Sequence, residues 1–122
     1  MKNIIFLALM LICSSLFAQF NKDNPGTPKE RAQAMTDTMV VRLKLSQEQK
    51  LRVYNLNLKY ARVMQAEVVD SDKNKISKYW TANEINDQKE TELKPILTKE
   101  QWISYEQIRN EKKRSFLFKF SK

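Results

Sequence analysis

The chain has no histidine, one cysteine, one glycine and three prolines among its 122 residues. Each shortage closes off a class of protein. An all-β domain needs many Gly- and Pro-bearing turns, so the count points instead to a few long helices. Without histidine, and with cysteine only at Cys13, the chain lacks the commonest nucleophiles, general bases and soft metal ligands. A single glycine cannot build a Gly-rich phosphate loop. The acids are dispersed among lysines on what read as exposed faces, so neither an enzyme nor a metal or cofactor is expected.

What is present begins with a leader. Lys2 precedes an uninterrupted apolar run from Ile4 to Ile12, followed by Cys13-Ser14-Ser15-Leu16-Phe17-Ala18. That is the layout of a secretory signal peptide over residues 1–18, with a run short for a membrane span. It predicts an exported, periplasmic protein. Cys13 follows Ile12 rather than the small residue that a lipidation signal carries, which argues against a lipid anchor. Residues 19–26 read as a flexible lead-in and 27–122 as one helical domain, without a cysteine to staple it. The formal charge of +8 would suggest nucleic acid for a cytosolic protein. For an exported one, nucleic acid is set aside in favour of acidic protein surfaces or anionic lipid.

Helix starts are written plainly. Thr27, Pro28 and Glu30 form a capping box with proline at the first helical position, opening a helix to about Arg42. Its apolar stripe is Ala32, Met35, Met39 and Leu43. Leu45-Ser46-Gln47-Glu48-Gln49 and Leu97-Thr98-Lys99-Glu100-Gln101 are near-copies, each a hydroxyl cap with glutamine three places on. The helix from Ser46 to about Val69 carries two apolar stripes at about 100° per residue. One is Leu51, Tyr54, Leu58, Ala61 and Val68; the other, nearly opposite, is Val53, Leu56, Tyr60, Val63 and Met64. Arg52, Asn55, Lys59 and Arg62 lie in the wedge between them. Either neighbours sandwich this helix or, as so few helices favour, one stripe serves a partner, a second copy of the chain or a client protein. Arg52, Val53, Leu56, Lys59, Tyr60, Arg62 and Val63 are the candidate client-binding set, basic charge beside apolar surface. A third helix falls within about Asp72 to Lys94, with Asn83–Asp87 as a candidate kink, and Pro95 ends it. In the fourth, Leu97 and Trp102 suit a hydrophobic staple. The chain closes on the apolar Phe116-Leu117-Phe118-Lys119-Phe120, suited to another subunit, a membrane surface or its own core.

A signal peptide, four helices, and Leu-[Ser/Thr]-x-x-Gln opening the second and fourth together resemble the Spy/CpxP family of LTXXQ-motif periplasmic proteins. The resemblance runs from about Arg31 to about Lys113, and Leu93–Gln101 is especially similar to the second family motif. It implies an all-α, hairpin-like fold pairing into a thin, curved antiparallel homodimer. It also implies an ATP-independent chaperone for unfolded or partly folded envelope proteins or, alternatively, an accessory regulator of an envelope-stress sensor kinase. Ser46 replaces the motif threonine, a mild change because both hydroxyls cap. The lack of histidine removes the ligands by which other relatives bind zinc.

Overall fold

The computed structural model describes residues 26–120. The predicted leader and most of the lead-in lie outside the described residues. Four α-helices and no strand occur among the described residues: α1 Pro28–Leu43, α2 Gln47–Met64, α3 Lys75–Leu93 and α4 Lys99–Phe120. A π-helical turn, Gln65–Val69, extends α2, and a 3-10 turn, Lys94–Ile96, carries Pro95 between α3 and α4. The predicted elements are all present, and α3 passes through Asn83–Asp87 without a break.

The caps explain where the helices start. Thr27 Oγ1 accepts from Glu30 N at 3.2 Å, while Thr27 N donates to the Glu30 carboxylate at 3.1 Å. Ser46 with Gln49 and Thr98 with Gln101 repeat this reciprocal pattern, each with distances of 3.2 and 3.0 Å. α3 starts on Asn74, whose Oδ1 accepts from Ser77 N at 2.8 Å. α1 stops because Lys44 adopts a left-handed conformation, φ 53°, which turns the chain out of the helix.

Pairing follows from what each helix buries. α1 and α2 form an antiparallel hairpin: near the start of α1, the Arg31 guanidinium donates to Ala61 O and Gln65 Oε1, late in α2. Midway, buried Asn57 donates to Thr36 Oγ1 at 3.0 Å, and Thr36 in turn donates to Ala32 O at 2.7 Å. A buried amide left unpaired costs about 1–3 kcal/mol, so this chain of bonds fixes the register of α1 on α2. α3 runs back along α2, with Lys59 donating to both oxygens of Glu92 at 3.0 and 3.1 Å. α4 returns antiparallel to α1, from Gln101 beside Leu43 to Lys112 beside Met35.

One core joins all four helices: Met39 and Leu43 of α1, Val53, Leu56 and Tyr60 of α2, Ile85 and Leu93 of α3, Tyr105 and Ile108 of α4, with Leu97. α3 contributes two buried residues, Ile85 and Leu93, and leaves Ile76, Tyr79 and Trp80 exposed at its beginning.

The two glutamine motifs meet. Gln49 Nε2 donates to Gln101 Oε1 at 2.7 Å, and Gln101 Nε2 donates to Gln49 Oε1 at 3.1 Å. Each amide nitrogen also donates to a backbone carbonyl, Gln49 to Ile96 O at 3.0 Å and Gln101 to Leu43 O at 3.2 Å. With the cap N–H groups, each side-chain oxygen accepts twice and each nitrogen donates twice, so both amides are saturated. This clasp ties the start of α2 to the 3-10 turn before α4, and the start of α4 to the end of α1.

Candidate functional site

The seven residues expected to bind a client divide sharply. Val53, Leu56 and Tyr60 belong to the core, Val53 with no exposed surface, and Val63 packs partly buried against it. That stripe is consumed by α1 and α3, because α2 lies between them. Arg52, Lys59 and Arg62 are exposed. Lys59, however, is engaged with Glu92 and lies 5.1 Å from the Tyr60 ring centroid. The other stripe is the less buried one: Leu51 is 63% exposed, Tyr54, Leu58 and Ala61 are half-buried, and Val68 packs partly buried against the core. Leu45, Ser46, Gln49, Leu97, Thr98 and Gln101 serve the caps and the clasp, with Leu97 in the core.

Basic charge and apolar surface come together elsewhere, in a groove of about 480 Å³ between α1, α3 and α4. Met35, Tyr105 and Ile108 line its inner part, and Tyr79 and Leu117 its exposed end. A smaller cavity of about 140 Å³ between α1, α2 and α3 shares Met35, Asn86 and Lys89 with the groove. Helical spacing places these groups: Asn83, Asn86, Asp87, Lys89 and Glu90 recur along α3, and Arg109, Lys112, Lys113 and Leu117 along α4.

The acids of the groove are fewer than its bases, and one is already engaged. Glu90 accepts from Arg109 Nη1 at 2.7 Å and from the Tyr105 hydroxyl at 3.3 Å. Burial, reinforced by Glu90, pushes the Tyr105 phenol far above its ordinary range, so it stays a protonated donor. Arg109 Nε is buried without a hydrogen-bond partner among the described residues. Lys112 Nζ has the Met35 sulfur at 3.4 Å, a weak acceptor. Lys89, half-buried, makes no hydrogen bond or ion pair among the described residues. Burial lowers its pKa, the nearby Lys112 charge lowers it further, and Glu90 opposes both. The groove thus holds more donors than acceptors over an apolar floor. Among the described residues no cluster of three metal-ligating side chains occurs, and no helix is long and apolar enough to cross a membrane.

Sequence reasoning missed the groove because its lining comes from three helices. The visible signal was that Met35 lies on the α1 stripe and that Lys112 and Lys113 fall on the helix carrying Ile108. Nothing local said they would converge.

Residues 18–105 match the family model for a domain of unknown function, DUF4890, and the chain belongs to that family. The match covers Met35, Tyr79, Lys89, Glu90 and Tyr105 of the groove; Ile108, Arg109, Lys112, Lys113 and Leu117 lie beyond it. No curated protein and no solved structure matches the chain.

Proposed function

We propose that this member of the DUF4890 family is a periplasmic, ATP-independent, chaperone-like protein that binds unfolding or aggregation-prone polypeptides. The observation that carries the reading is the groove between α1, α3 and α4, in which Met35, Tyr105, Ile108 and Leu117 lie beside Arg109, Lys112 and Lys113. Positive charge draws an acidic client in at long range, and apolar contact holds a chain that exposes its own core residues. The role of the α2 residues changes accordingly: Arg52 and Arg62 contribute to the attracting field, while Val53, Leu56 and Tyr60 hold the scaffold. The leader over 1–18 and the resemblance of the paired Leu-[Ser/Thr]-x-x-Gln motifs to Spy/CpxP proteins support an envelope setting.

Two copies pairing as an antiparallel homodimer belong to the same proposal. Val41 of α1, Leu51 of α2 and Ile103 of α4 are large, exposed apolar residues near the motif end, away from the groove and available to a second chain. Light scattering of the purified protein at micromolar concentration checks this, and a monomer throughout the range overturns the dimer.

The functional test is suppression of aggregation of an unrelated, heat-labile client. Scattering falls at several-fold molar excess of the protein, and the effect weakens as salt screens the encounter. Unchanged scattering overturns the chaperone reading. Capture of one dominant band from an envelope extract, with no effect on aggregation, would move the assignment to the regulator of a sensor kinase.

A further inference from the structure

We propose that Lys89 and Lys112 form a carboxylate-receiving site in the groove, so that the polypeptide segment bound there carries an acidic residue among its apolar ones. The inference rests on the groove being a polypeptide-binding surface and adds which chemistry it selects.

Three observations carry it. The two lysines line the same groove beside Met35: Lys89 shares both cavities with it, Lys112 Nζ lies 3.4 Å from its sulfur, and the Lys112 charge is felt at Lys89. Neither has an acid of its own among the described residues. Glu90 is held by Arg109 and Tyr105, and the other ion pairs among the described residues use Arg42 with Glu111, Lys59 with Glu92 and Arg109 with Glu106. Finally, Arg109 on the same wall is already committed to Glu90 at 2.7 Å, which leaves the two lysines as cations open to a ligand's charge. A half-buried ammonium beside another ammonium is disfavoured, because burial and like charge both oppose it. A carboxylate between them removes the repulsion and accepts charge-assisted hydrogen bonds from both, which are stronger than neutral ones.

Charge also selects among occupants. The lining brings Lys89, Arg109, Lys112 and Lys113 against Asp87 and Glu90. A second copy of this basic chain would meet the groove with like charge, whereas an acidic amphipathic segment meets it with complementary charge. The apolar floor of Met35, Tyr105, Ile108 and Leu117 requires that the same segment be apolar on one side. A small free anion would satisfy the lysines and leave that floor bare.

Fluorescence anisotropy on the full chain tests this with two labelled amphipathic peptides, identical except that one carries Glu where the other carries Gln. The Glu peptide binds about tenfold more tightly, the ratio that one charge-assisted hydrogen bond supplies. Lys89→Met brings the ratio close to one, whereas Lys99→Met, which removes an equal charge outside the groove, leaves it in place. Circular dichroism checks the fold of each variant. Lys112→Met repeats the test on the exposed wall should Lys89→Met not fold. Equal binding of both peptides to the unmodified protein overturns the inference and leaves the groove as a polypeptide site. Binding of neither overturns both. Lys89-dependent displacement of the Glu peptide by inorganic phosphate at low millimolar concentration would assign the site to a free anion and overturn it as well.

Discussion

A capping box needs only an acceptor at its third helical position, and glutamate serves as well as glutamine there. This chain uses both. Glu30 closes the box on Thr27 and donates to nothing, whereas Gln49 and Gln101 must also donate, to each other and to Ile96 O and Leu43 O. The amide is therefore required by the clasp, and the cap alone does not demand it. Gln101→Glu keeps the bond from Thr98 N but removes both donors, leaving Leu43 O and Gln49 Oε1 facing a carboxylate. The expected loss is about 2–3 kcal/mol, read as a lower urea midpoint with unchanged slope. Glu30→Gln, by contrast, costs less than about 1 kcal/mol, the size of a charge effect at a helix N-terminus.

At the scale of the element, α2 shows what a linear pattern discloses and what it withholds. Its start at Ser46, its length to Val69 and its two stripes were legible, because caps and the 3.6-residue period are local. Which stripe faces the core was not. That depends on α1 and α3 reaching the Val53–Tyr60 side together, with Asn57 accommodated by Thr36. The clasp was equally hidden: each glutamine reads as a cap, and their partnership spans 52 residues of sequence. The Asn74 cap fell just past the predicted start at Asp72. The candidate site was the least legible part, since the apolar client-binding residues chosen on α2 became core and the groove assembled from distant segments.

The seam between α2 and α3 also carries a pH dependence. Hydrogen bonds from Tyr60 and then Lys59 hold the Glu92 carboxyl below its usual range, and Arg42 does the same to Glu111 on α4. A carboxyl with a depressed folded-state pKa contributes stability above its unfolded value, and that contribution is lost as pH falls through the folded value. Denaturation midpoints should therefore drop between about pH 6 and about pH 3. Glu92→Gln should flatten part of that drop, and a profile unaffected by the substitution would remove Glu92 from the account. Both pairs are exposed, so the effect is modest.

Across the whole molecule, the two ends of the bundle differ. One holds the clasp together with buried Leu43, Leu93 and Leu97. The other presents Ile76, Tyr79 and Trp80 at the beginning of α3, with Leu117 and Phe118 late in α4, all more than half exposed. Amide exchange should follow that gradient, fastest over Lys75–Trp80 and slowest around Val53–Tyr60, where opening requires global unfolding. Uniform protection along α3 would contradict it. The clasp secures the second and fourth helices by their starts, and the groove reaches away from it to Tyr79 and Leu117. Were the far ends of α3 and α4 to part, as the arms of tweezers part about a joint, every cap at that joint would stay closed.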